Sequence, residues 1–120
     1  MEGGDRRQEA ENIRKFYPDK IPIFLNKVKQ SKLKEFDNNK YPPPPYRILI
    51  VKTFTVFKLI MVIKNKLKIN HTEALYLFAG NTLLHAEQTL EDVYDKYAAE
   101  DKFLHLGYCE YPTFGSQIPF

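Results

Sequence analysis

The segment from Val56 to Leu67 constrains the fold of this chain more than any other. Val56, Leu59, Ile60, Ile63 and Leu67 keep i, i+3, i+4 spacing, with Lys58, Lys64, Asn65, Lys66 and Lys68 mostly opposite. That spacing makes one apolar stripe on an α-helix, with Thr55 placed as its N-cap. A helix striped on one side must lie on an apolar surface, and its neighbours in sequence supply one. Arg47-Ile-Leu-Ile-Val-Lys52 is a compact β-branched run, and Leu75-Tyr-Leu-Phe-Ala79 reads as a strand. The expected core is therefore a helix laid across a sheet.

The remaining segments extend that sheet. Residues 1–5 read as loose. From Arg6 the pattern turns helical, with Ala10, Ile13 and Tyr17 on one face until Pro18 ends the run. Ile21 to Leu25 reads as a strand, which Pro22 assigns to an edge or an end. Residues 26–41 are polar and lysine-rich, a long loop anchored by Leu33 and Phe36. The prolines Pro42 to Pro45 then predict an extended spacer of roughly 12 Å at ~3.1 Å per residue. Gly80-Asn81 is a tight turn into a short return at Thr82 to Leu84. Thr89 with Asp92 resembles a capping box that opens a helix carrying Leu90, Val93, Tyr94 and Tyr97 on one face. Phe103 to Cys109 is a closing strand, and the tail YPTFGSQIPF, without periodicity, is expected to be exposed. Helix, strand, strand, helix, strand, short strand, helix, strand is the order of an α+β fold. It is a β-grasp (ubiquitin-like) roll with an N-terminal helix, a class used mainly for binding and tagging.

Composition narrows the function. At 120 residues there is room for one domain. The single cysteine, Cys109, excludes an internal disulfide and a cysteine-based zinc cluster, and suits a reducing compartment. The longest apolar stretch, Phe54 to Ile63, is interrupted by Lys58 and falls short of the ~20 residues that a bilayer requires. The N-terminus is too polar for a secretory signal, so the chain reads as a soluble intracellular domain. Charge is lopsided: residues 1–70 carry 16 Lys/Arg against 7 Asp/Glu, and residues 71–120 carry 2 against 8. Such a basic half suits acidic peptides or anionic headgroups. No recognised nucleic-acid motif accompanies it.

Catalytic chemistry is not legible. His71, His85 and His105 lack metal-ligand spacing with one another or with Cys109, and nothing beside Cys109 would activate its thiol. The glycines Gly3, Gly4, Gly80, Gly107 and Gly115 form no phosphate loop. Glu91-Asp92 and Glu100-Asp101 read as cap and loop charges. Pro42 to Pro45 matches a PxxP ligand only weakly, and reads as a stiff connector. No enzyme activity is expected.

Spaced motifs nevertheless point to a family. Ile13-Arg-Lys-Phe-Tyr-Pro-Asp-Lys-Ile-Pro22 resembles the IRxKYPDRVPV stretch of the autophagy ubiquitin-like modifiers, the family of GABARAP and the microtubule-associated protein light chain. Asp37-Asn-Asn-Lys-Tyr41 resembles DKKKYL, and Glu73 to Asn81 resembles EDALFFFVNN. Glu100-Asp-Lys-Phe-Leu-His-Leu-Gly-Tyr108 is similar to EDFFLYIAYS, and Thr113-Phe114-Gly115 stands where the family has its aromatic-glycine terminus. The chain is identified as a divergent member over about residues 6–115.

The resemblance implies a mechanism and its partners. A cysteine protease of the pathway would recognise Phe114 and cut after Gly115. That would leave residues 1–115 as the ubiquitin-like domain and remove the extension 116–120. Activating and conjugating enzymes would then pass the Gly115 carboxylate, through thioesters, to the amine of phosphatidylethanolamine, a covalent lipid rather than a cofactor. Glycine, without a Cβ, lets an extended tail thread a narrow active site. The expected location is the cytoplasm, with autophagosome membranes and cytoplasmic vesicles.

The resemblance also implies capture of cargo receptors at a sheet edge. Their motifs carry an aromatic and an aliphatic residue set two residues apart, flanked by acids. The matching aromatic-pocket positions are Glu9, Ile13, Pro22, Phe24, Lys40 and Phe103. Those of the aliphatic pocket are Tyr41, Phe54, Leu59 and Val62, and Lys20 and Lys66 match residues that meet the acidic flanks. Each apolar position also has a core reading.

The sequence departs from the family at three places. The N-terminal side is shorter, so the first of two family helices is largely missing. Extra residues stand between Tyr41 and Phe54, and Asn65 replaces a basic residue in the central helix. Pro42 to Pro45 cannot pair with a partner strand, so either Ile48 to Val51 supplies the edge or peptide capture is altered or lost. Two rival readings keep the fold: conjugation to a protein lysine, or an unconjugated trafficking or cytoskeletal binding module. Relatives of the first kind generally end at the glycine, so the extension argues against it.

Overall fold

The first strand and the last lie side by side at the centre of the molecule. A computed structural model describes residues 2–112. It runs α1 (Glu2–Phe16), β1 (Lys20–Lys27), β2 (Tyr46–Val51), α2 (Val56–Leu67), β3 (Tyr76–Ala79), β4 (Thr82–Leu83), α3 (Leu90–Tyr97) and β5 (Leu104–Cys109). The strand order is β2-β1-β5-β3-β4. β1 runs parallel to β5 with Ile23 opposite Leu104, and the other pairs are antiparallel. This is the ubiquitin-like roll expected from the order of elements.

Alternation along β1 divides the interior. Ile21, Ile23 and Leu25 join Leu59 and Ile63 of α2 and Leu90 and Val93 of α3 in the main core. Phe24 turns to the other face, where α1 covers it with Ala10 beside Phe103. Both helix starts that the sequence marks are capped: the Thr55 hydroxyl accepts from the Lys58 N–H and the Thr89 hydroxyl from the Asp92 N–H, each at 3.2 Å. Gly80 turns the β3–β4 hairpin at φ +62, where glycine has no steric cost.

Several local expectations are corrected. α1 begins at Glu2, so the first residues are not loose but continue the helix. Tyr17 falls after its last turn and is 52% exposed. Lys64 sits on the flank of the α2 stripe, buried, with its ammonium donating to the His71 carbonyl at 2.8 Å while its stem covers apolar surface. The prolines do not form a straight spacer, since the chain bends at residues 43–45 before entering β2.

Pro22 is inside an internal strand. It stands opposite Leu49, and the neighbouring Lys52 N–H donates to the Asp19 carbonyl at 2.7 Å. Odd-numbered residues of β1 therefore bond to β2, and the nitrogen of Pro22 faces β5, whose ladder starts only at Ile23. A proline at that position forfeits no hydrogen bond.

The long loop after β1 is fixed by β5. The Ser31 hydroxyl and the Lys32 N–H donate to the two oxygens of Glu110, at 2.7 and 3.0 Å. The Tyr108 hydroxyl donates to the Lys34 carbonyl at 2.6 Å, and the Val28 N–H to the Tyr108 carbonyl at 2.9 Å. Val28 also lies against Gly107, where a Cβ would meet its methyl at 3.1 Å. Leu33 and Phe36 anchor the rest of the loop on the core. Burial disfavours the Glu110 charge, but the hydrogen bonds from Ser31 and Lys32 outweigh it and hold this carboxyl below its ordinary value.

A folded-state pKa below the unfolded one adds stability above the unfolded value, and that stability is lost as pH falls through the folded value. Glu110→Gln removes the negative charge that the Ser31 and Lys32 donors stabilise. It should lower unfolding stability by about 1–2 kcal/mol at pH 7. The gap should close as pH falls below the ordinary carboxyl value of 4.5, which urea unfolding of both proteins across pH will show.

Candidate functional site

β2 is an outer strand, and its pairing fixes which groups it offers. Tyr46, Ile48 and Ile50 stand opposite the odd-numbered residues of β1 that bond across to β2. The N–H and C=O groups of Arg47 and Leu49 therefore point away from the sheet. The outward carbonyl of Val51 is taken by the Phe54 N–H at 3.0 Å. The free edge thus begins after Pro45, so Ile48 to Val51 belong to the strand that supplies it.

On the α1 face of this edge the apolar side chains form a closed cluster, with Phe24 and Phe103 only 2% and 1% exposed. Phe24 stacks on Phe103 with ring centres 4.3 Å apart, beside Ala10, half-buried Ile13 and buried Pro22. Two guanidinium groups cover the Phe24 ring, Arg6 at 4.5 Å and Arg47 at 5.3 Å from its centre. Arg47 is held by Glu9 at 3.0 Å. A surface ion pair of this kind contributes ~0–1 kcal/mol, so an incoming acidic group can take Arg47 from Glu9 at small cost. Glu9, Ile13, Pro22, Phe24 and Phe103 are brought together here. Lys40 is not: it lies in a turn, its N–H donating to the Asp37 carbonyl at 3.0 Å. Arg47 stands where motif matching assigned Lys40. Counting back from the Thr55 cap, instead of forward from Asp37, would have found it.

A pocket opens on the α2 face. It is a groove of about 340 Å³ lined by Phe36, Tyr41, Pro42, residues 46–50, Val62 and Lys66. Phe36 stacks on Tyr46 at 4.1 Å and meets the edge of Tyr41 at 5.2 Å. Burial, reinforced by its hydrogen bond to Glu35 at 2.7 Å, pushes the Tyr46 phenol up to about 12. The Lys66 ammonium lies 5.1 Å from the centre of the Tyr41 ring and donates to its hydroxyl at 3.3 Å. Tyr41, Val62 and Lys66 are thus collected as the resemblance implies. Leu59 is not, being a core residue with 0% exposure. Phe54 packs on the core beneath the Lys58 ammonium, 4.8 Å from its ring centre, and does not line the groove. Lys20 stands opposite Val51, at the end of β2 away from Tyr46.

Cys109 is buried, and desolvation raises its thiol above the ordinary value, which disfavours the nucleophilic thiolate. The Nε2 of His105 is 2.8 Å from the Asp101 carboxylate, beside the Phe24 ring. Among the described residues no His, Cys, Asp and Glu cluster could hold a metal ion, and no helix is long and apolar enough to cross a membrane. Phe114 and Gly115 lie outside the described residues.

The structure is thus a ubiquitin-like roll whose outer strand β2 runs between a closed aromatic cluster and an apolar groove. The profile described as "Autophagy protein Atg8 ubiquitin like" matches residues 5–115. The chain is 30% identical to Autophagy-related protein 8 of Schizosaccharomyces pombe, over 96% of this chain and 89% of that protein. It is 34% identical to Autophagy-related protein 8 of Dictyostelium discoideum, over 94% of this chain and 88% of that one. The crystal structure of Trypanosoma brucei ATG8 superposes with a TM-score of 0.80 at 28% identity, covering 94% of this chain and 91% of that one. The chain belongs to the Atg8 family of ubiquitin-like autophagy modifiers.

The two aliphatic positions on α2 should separate by stability. Leu59→Ala is expected to cost about 2–5 kcal/mol, while Val62→Ala at the groove wall should cost under about 1 kcal/mol. Denaturant unfolding of both variants checks which residue carries the core.

Proposed function

We propose that this chain is processed after Gly115 and joined through the Gly115 carboxylate to the amine of phosphatidylethanolamine on autophagosomal membranes. The observation that carries this reading is the family match over residues 5–115, which runs through Phe114 and Gly115. Hydrolysis of the Gly115–Ser116 bond frees the carboxylate. Adenylation and two thioester transfers keep it activated until the lipid amine displaces the last thiol and forms an amide. The chain contributes the tail and the recognised fold, and the pathway's protease and its activating and conjugating enzymes contribute the catalytic groups.

The β2 edge supports a second activity, the recruitment of receptor peptides. An extended peptide added to the edge would pair with the outward groups of Arg47 and Leu49. Two of its residues separated by two others point to opposite faces of the sheet. That spacing suits one anchor at the aromatic cluster on the α1 face and one in the groove on the α2 face. Arg6, Arg47 and Lys66 surround these two places with positive charge for acidic flanks.

The intact mass of the full chain after treatment with an active family protease tests the first reading. Loss of residues 116–120 is expected, and Gly115→Ala should slow it strongly; an unchanged mass leaves a binding module. Leu49→Pro tests the second. It deletes an outward N–H while keeping the β1–β2 ladder, so peptide affinity should fall about tenfold with the fold intact. Anisotropy of a labelled acidic peptide with an aromatic and an aliphatic anchor reads the change.

A further inference from the structure

We propose that the loop between β1 and β2 is a contact surface for anionic membranes, on which Lys29, Lys32 and Lys34 meet acidic lipid headgroups beside the tail. The proposal rests on the reading of Gly115 as the lipid-bearing residue. Three features carry it.

The first is charge. Lys29, Lys32 and Lys34 are all exposed, and none of them meets a carboxylate among the described residues. The acids of this region point their carboxylates elsewhere: Glu110 to Ser31 and the Lys32 N–H, Glu35 to the Tyr46 hydroxyl and the Lys27 ammonium, 3.8 Å away, and Asp37 to the Asn39 N–H. A negatively charged surface therefore finds three ammonium groups with no ion-pair partner to displace.

The second is rigidity. The loop is tied through backbone groups of Val28, Lys32 and Lys34 to Tyr108 and Glu110. The lysine stems project from a fixed backbone, so little ordering of the loop remains when they engage.

The third is position. Glu110 follows β5 directly, and Gly115 stands only three residues beyond Pro112. Fully extended they span about 10 Å, close to the Debye length of about 8 Å at physiological salt. A lipid joined at Gly115 brings the root of the tail, and the loop clamped to it, within electrostatic reach of the headgroups. The lysines would supply a second, charge-based signal to a lipid-anchored protein and orient it with the β1–β2 loop toward the bilayer.

The test uses the full, unconjugated chain, so its outcome does not depend on whether Gly115 is ever processed; the mass measurement reads that separately. Flotation at high lipid concentration compares phosphatidylcholine vesicles with and without phosphatidylserine, at low and high salt. Binding should require phosphatidylserine and fall with salt. Replacing Lys29, Lys32 and Lys34 together by Gln should weaken it on the order of a hundredfold, roughly fivefold per lysine. The side chains of Lys32 and Lys34 take no part in the clamp, and unchanged thermal unfolding confirms that it persists. A control that replaces exposed Lys15, Lys58 and Lys96 by Gln removes the same charge elsewhere and should retain most of the binding. Equal loss in the two triple variants, or no preference for phosphatidylserine in the unmodified chain, overturns the proposal.

Discussion

The parallel pairing of β1 with β5 is the constraint on which the rest depends. It joins the two ends of the chain, Ile23 opposite Leu104 and Leu25 opposite Leu106. It also leaves a strand pair that must be covered on both faces. α2 and α3 cover one face through Leu59, Ile63, Leu90 and Val93, and α1 covers the other through Ala10 over Phe24 and Phe103. With β5 on one flank of β1, β2 can occupy only the other, and among the described residues nothing follows it in the sheet. The exposed edge is thus a consequence of where the last strand inserts.

That edge is managed by charge. Outer strands are prone to unwanted pairing, and charged side chains on them are a common defence. Arg47 lies on this edge, exposed, held between the Phe24 ring and Glu9. The contact with Glu9 is a surface ion pair, so the guanidinium that shields the strand is only weakly held there. The Asp101–His105 pair adds polar groups beside the same ring.

Most elements were legible because their signals are local. The α2 stripe, the threonine caps, the Gly80 turn and the β-branched runs each report on a few neighbouring residues, and each stands where the pattern put it. What escaped depended on neighbours distant in sequence. Pro22 signals an edge only if its strand's pairing partners are unknown; once the ladder of β1 with β5 is seen to begin at Ile23, an internal proline is harmless. Lys64 reads as solvent-facing on a helical wheel, but the carbonyl of His71 draws it in. Leu59 and Val62 lie on one turn of α2, and periodicity does not tell the core from the groove wall. The clamp on Glu110 pairs residues 79 apart in the chain, which no local pattern encodes.

The residues before β2 show how an outer strand keeps its register behind a long connecting loop. Closing a somewhat longer loop costs little, about 0.6 kcal/mol for each doubling of length, so the length is tolerated if both ends of the loop remain anchored. Phe36 anchors one end in the core, and Tyr46 the other, stacked on Phe36 and bonded through its hydroxyl to Glu35. The bending prolines lie between those anchors and project outward. Because Tyr46 and the Thr55 cap fix β2 from both sides, the register with β1 stays set whatever the intervening chain does. The strand cation at the Phe24 ring is Arg47, just beyond Tyr46, while Lys40 lies in a turn before the prolines. Motif spacing counted forward through this loop reaches Lys40, and the pairing of β2 with β1 shows which cation meets the ring.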